Sequence, residues 1–166
     1  MSSPLLVWHL VSGGGTTMEN VARRMLAGEL WNILPSVVIA DRACGALDKA
    51  RALGIPTELI QKSDFVGNLG KWAERISSVL QRYQTNRVFQ NWWTPLTPPY
   101  IIEHWPKIYN QHPGPLSGNE KPDFGGKWMC GTAVTAARIL YLLELGEEDP
   151  RNLTTESTVH MVNSRL

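Results

Sequence analysis

Apolar residues fall in short runs separated by spaced stripes. Residues 5–11 read Leu-Leu-Val-Trp-His-Leu-Val, a mostly apolar run suited to a strand buried on both faces. Met18, Val21, Ala22, Met25, Leu26 and Leu30 then recur at three and four, the signature of an amphipathic helix. Thr16 and Glu19 have the spacing of a capping box that would start it. A second strand is predicted over 37–41. A helix over about 44–53 follows, closed by Gly54 with Pro56 just beyond. Residues 57–60 form a third strand. Leu69, Trp72, Ile76, Val79, Leu80 and Tyr83 mark one stripe of a long helix, and 87–90 a fourth strand. Strand alternating with helix predicts a parallel sheet covered on both faces, hence a Rossmann-like α/β fold.

After Trp92 the texture changes. Thr94-Pro95-Leu96-Thr97-Pro98-Pro99 is a loop into a short helix around 100–105. Residues 108–112 form the next strand, which Pro113 ends because it has no N–H to donate. Pro113, Pro115 and Pro122 with Gly114, Gly118, Gly125 and Gly126 make 113–130 one long loop, and such loops in compact domains are usually sites or lids. A helix over about 131–145 and a strand over 157–163 complete the pattern.

The chain's 166 residues predict a single domain. Sixteen basic and fifteen acidic residues give a net charge of +1, which offers no global attraction to nucleic acid. Cys44 and Cys130 lack metal-ligand spacing and read as reduced cytosolic thiols. No metal is expected. No apolar run approaches the roughly 20 residues of a membrane span and no signal peptide is read, so a cytoplasmic protein without membrane partners is expected.

Two constellations carry chemistry. Ser12-Gly13-Gly14-Gly15-Thr16-Thr17 joins the first strand to the first helix. Such a loop brings backbone N–H groups to a helix N-terminus, where an anion is favoured, although it is neither a dinucleotide fingerprint nor a Walker loop and also reads as a plain tight turn. The second is Asn110 and His112, two apart on a strand and so on one face. An amide and an imidazole at a strand's C-terminal end can hold an oxyanion and move a proton.

Asn110-Gln111-His112-Pro113 resembles the Asn-x-His-Pro signature of the folate-dependent formyltransferases, most closely those acting on phosphoribosylglycinamide. Gly54-Ile55-Pro56-Thr57, Lys62-Ser63-Asp64-Phe65 and Leu96-Thr97-Pro98 fall in that family's order at near-family spacing. The resemblance covers nearly the whole chain. It implies a phosphate-binding half over about 1–92 and a folate and catalytic half over about 93–166. It implies catalysis by Asn110 and His112, substrate phosphate on Gly15, Thr16 and Thr17, and folate lined by Trp93 and Leu96. The implied reaction moves a formyl group from 10-formyltetrahydrofolate to the amine of glycinamide ribonucleotide, in purine biosynthesis.

Departures from the family bear on which amine is used. Thr17 stands where the family has Asn, Asn68 where it commonly has Arg, and Thr135 where it commonly has His. The family also places an aspartate seven residues after the His of a Thr-Val-His strand, where it keeps the catalytic imidazole cationic. Here that strand holds Thr158-Val159-His160, and the seventh residue would stand one position beyond Leu166. The resemblance therefore implies a chain cut short and of low activity, with Asp123 as a minor substitute. Alternative readings are a relative acting on a nucleotide sugar or methionyl-tRNA, and a non-catalytic remnant that binds a phosphate ligand.

Overall fold

A computed structural model describes residues 3–105, 107–116, 124–125, 129, 131–149 and 157–163. Its strands are β1 Leu5–Val11, β2 Ile33–Ala40, β3 Thr57–Leu59, β4 Arg87–Asn91, β5 Ile108–His112 and β6 Thr158–Met161. Its helices are α1 Thr16–Leu26, α2 Gly45–Ala52, α3 Leu69–Arg82, α4 Pro99–His104 and α5 Thr132–Glu144. A short 3₁₀ turn at Lys62–Phe65 follows β3. The sheet order is β3-β2-β1-β4-β5-β6, and β1 is parallel to both β2 and β4, as β2 is to β3. This is the open, mostly parallel α/β sheet expected from the alternation of runs and stripes. Two compact units divide the chain: residues 1–110 with 161–166, and residues 111–160.

In the first unit the pleat sorts the core onto two faces. Trp8 and Leu10 of β1 and Val37 and Ile39 of β2 pack with Trp72, Ile76, Val79 and Leu80 of α3 and with Ile101 of α4. The alternate residues Val11, Val38 and Ala40 pack with Met18 and Ala22 of α1 and Ala46, Leu47 and Ala50 of α2. Helices therefore cover both faces, which explains why β1 and the end of β2 are nearly continuous apolar runs. Trp72 is fully enclosed, and its indole N–H is satisfied by the carbonyl of Ile60 at 3.1 Å.

Two local expectations are corrected. Strand β2 begins at Ile33, not at residue 37, and runs through Pro35. The β1–β2 register shifts between Val7 and Trp8, so that Val7 pairs with Pro35 and Trp8 with Val37. Ser36 is the extra residue, and its hydroxyl donates to the Val7 carbonyl at 3.1 Å, so a bulge absorbs the proline's missing donor. The capping box at Thr16 and Glu19 does not form. Gly15 is the N-cap, with φ of 71°, and no side chain caps α1. Thr16 is already helical, and Glu19 pairs instead with Arg23 at 2.8 Å and Lys49 at 3.0 Å. The hydrogen bond from Arg23, then that from Lys49, holds its carboxyl below the usual range.

The second unit is built around the turn that follows β5. Strand β5 stops at His112, immediately before Pro113. Gly114 is buried, and a Cβ there would collide with Val134 of α5. Thr158 donates to the Gly114 carbonyl at 2.8 Å. Phe124 is buried and meets Tyr141 edge-on, with the Arg138 guanidinium over both rings. Most of the expected 113–130 loop, Asp123 included, lies outside the described residues.

Candidate active site

The sheet order reverses at β1. The chain runs outward from it through β2 and β3, then returns to its other side with β4. In open α/β sheets ligands bind at such a switch point, outside the carboxyl ends of the strands. Here those ends are the glycine loop after β1 and Trp92–Thr94 after β4. They are stitched together by Ser12: its N–H donates to the Trp92 carbonyl at 2.9 Å, and its hydroxyl accepts from the Thr94 N–H at 3.0 Å.

The three loop glycines have different reasons to be glycine. A Cβ on Gly13 would come within 3.1 Å of the Trp92 indole. On Gly15 it would lie 2.5 Å from the Ala46 Cβ, in a left-handed backbone that disfavours side chains. On Gly14 it would meet nothing within 4 Å. Gly14, Thr16 and Thr17 are exposed. The loop is also tied to α2, because the Ala46 N–H donates to the Gly13 carbonyl at 3.2 Å.

The two adjacent tryptophans part company. Trp93 turns inward and stacks on Trp72, the rings 5.9 Å apart and nearly parallel, with its own indole N–H buried and unpartnered. Trp92 is 46% exposed, and Leu96 is 84% exposed. Asn68, where the resembled family commonly carries Arg, caps α3 through its Oδ1, which accepts the Lys71 N–H at 3.0 Å.

Beneath the crevice lies a residue that the sequence reading did not single out. His9 is wholly buried in β1, and the Asn91 side-chain amide lies 2.7 Å from its Nδ1. Burial lowers its pKa from 6.5 to about 4, because a charged imidazole would lose its hydration there. The folded state therefore refuses a proton that the unfolded chain accepts. Stability from this group is complete above pH 6.5 and is lost as the pH falls towards 4, where the loss levels off at about 3 kcal/mol. Urea unfolding of the wild type between pH 7.5 and 4.5 should show this slope, and His9→Gln should lack that part of it. Parallel slopes would rule it out.

On β5 the strand is unbroken from Ile108 to His112, so its pleat directs the Asn110 and His112 side chains to the same side. Asn110 is half-buried and His112 buried. His112 Nε2 lies 2.8 Å from the Phe124 carbonyl oxygen. A carbonyl only accepts, so Nε2 carries a hydrogen and donates it, which leaves Nδ1 as the nitrogen free to act on a ligand. Ser157 closes the strand end by donating to the His112 carbonyl at 3.1 Å while accepting from Gln111 at 2.9 Å. Phe124, twelve residues away in sequence, gave no signal of this role, because the contact is made by its backbone.

Among the described residues no cluster of metal-ligating side chains occurs, and no helix is long and apolar enough to cross a membrane. No protein-family model matches the chain, and no curated protein sequence does. Solved structures do. Together, the sheet order and its helical layers are those of the formyltransferase type of α/β fold. Solved structures that share it include phosphoribosylglycinamide formyltransferases, also called glycinamide ribonucleotide transformylases. The glycinamide ribonucleotide transformylase 1 of Symbiobacterium toebii superposes with a TM-score of 0.76 at 22% identity, over 98% of this chain and 68% of that one. The phosphoribosylglycinamide formyltransferase of Brucella melitensis gives 0.73 at 23%, over 96% and 73%. That of Anaplasma phagocytophilum gives 0.71 at 24%, over 99% and 67%.

Proposed function

We propose that the chain serves formyl transfer to the amine of glycinamide ribonucleotide, a step of purine biosynthesis, with 10-formyltetrahydrofolate as the formyl donor. The observation that carries this reading is the fixed imidazole of His112, two residues from Asn110 on β5, within the formyltransferase type of fold. The bound folate supplies an activated formyl carbon. The exposed apolar Leu96 fits contact with a flat heterocycle, while Trp93, turned inward against Trp72, is assigned to the wall behind it.

The residues then have defined tasks. The amine forms a new C–N bond to the formyl carbon, and negative charge gathers on the formyl oxygen. The Asn110 amide donates to that oxygen, and His112, protonated at Nδ1, donates a second hydrogen bond. The bond from the carbon to the folate nitrogen then breaks. The Nδ1 proton of His112 passes to that nitrogen as the bond breaks, and the emptied Nδ1 takes up the proton released by the attacking amine. Phe124 serves only to hold the ring, since its carbonyl fixes which nitrogen faces the reaction. Gly15, Thr16 and Thr17 are assigned to the substrate phosphate at the start of α1.

Calorimetric titration tests this reading. The chain should bind glycinamide ribonucleotide and 5-formyltetrahydrofolate, and each should raise the melting temperature. A chain that binds neither at millimolar concentration does not carry this function.

A further inference from the structure

Trp92 has a backbone that tryptophan seldom adopts. Its φ is +63°, a left-handed conformation that costs roughly 1–2 kcal/mol for a residue with a side chain. The bonds of Ser12 to residues 92 and 94 hold it there. In consequence the indole stays 46% exposed while one edge lies over the glycine loop. That edge is the polar one: the atoms nearest a Gly13 Cβ would be Cδ1 at 3.1 Å and Nε1 at 3.3 Å. Trp92 Nε1 donates to no described residue. An indole N–H can only donate, and an exposed one beside a loop of backbone N–H groups adds a donor to a set that already suits an acceptor rich in negative charge.

We propose that Trp92 determines specificity at the glycine loop, its Nε1–H donating to an oxygen of the phosphate held there. The proposal rests on the phosphate reading of Gly15–Thr17 and goes beyond it by naming a side-chain donor that lies on another strand's loop. It also accounts for Gly13, whose missing side chain is the space the indole edge occupies. Thr17, with its short reach, then need not supply all the side-chain hydrogen bonding to the anion.

The test is an NMR titration of the full chain, ¹⁵N-labelled, with inorganic phosphate and with ribose 5-phosphate. The Trp92 indole signal is identified by its loss in Trp92→Phe, which removes the N–H and keeps an aromatic ring. Both ligands should move that signal together with the Gly14 amide, and Trp92→Phe should weaken phosphate binding about tenfold, the effect of losing one hydrogen bond to a charged group. A Trp92 signal that stays still while the Gly14 amide moves overturns the proposal and leaves the phosphate loop standing. Still signals at both positions overturn both. If Trp92→Phe binds phosphate within twofold of wild type and melts at the same temperature, the indole N–H makes no contribution and the proposal fails.

Discussion

Replacing His112 with alanine should lower formyl transfer to glycinamide ribonucleotide by roughly 10²–10³-fold, the usual loss on removing one donor to a developing oxyanion. The loss should fall on kcat rather than on folate binding, because the bond is strong only once charge has gathered on the formyl oxygen. Asn110→Ala should lose a similar factor for the same reason. The double variant should lose less than the product of the two, since both donors serve one oxygen. Single-turnover rates with saturating substrates give the comparison directly. Equal rates in wild type and His112→Ala, zero included, would remove His112 from the chemistry. His112→Gln sharpens the result, for an amide can replace one hydrogen bond but cannot shuttle a proton. Rescue to wild-type rate by glutamine would mean that the imidazole serves only as a donor.

What could be read from the sequence was local. The strand at β1, the stripe of α3 and the stop at Pro113 each follow from a few adjacent residues, and the structure has all three. The spacing of Asn110 and His112 was legible for the same reason, since a strand's period of two is a property of neighbours. The misses are places where a distant partner or a backbone state decides. Thr16 and Glu19 have the letters of a capping box, but Gly15 enters the helix left-handed because Ala46 of α2 leaves no room for a side chain. The strand expected from residue 37 begins at Ile33, because a bulge at Ser36 keeps Pro35 in the sheet. The burial of His9 against Asn91, and the opposite fates of Trp92 and Trp93, depend on contacts across the sheet that no spacing rule encodes.

The glycine loop separates structure from ligand binding at single-residue resolution. Gly15→Val should cost at least about 3 kcal/mol. The left-handed φ of +71° is unfavourable for any side chain and worst for a β-branched one, and the Cβ would press on Ala46 at 2.5 Å, against the backbone of α2. For a chain of this size that lowers the melting temperature by roughly 6–12 °C. Lost phosphate binding in that variant would therefore say nothing about the anion, because the loop itself would have moved. Gly14→Ala is the decisive change. Its Cβ would meet nothing within 4 Å, and its backbone is not left-handed, so stability should stay within about 0.5 kcal/mol of wild type. Yet a methyl on the exposed face of the loop stands where an anion must approach the backbone N–H groups, so phosphate affinity should fall severalfold or more. Thermal unfolding and phosphate titration of the two variants give the four numbers needed. A Gly14→Ala protein that binds phosphate as wild type does would place any anion elsewhere, and a Gly15→Val protein that melts unchanged would show that α2 does not confine the loop.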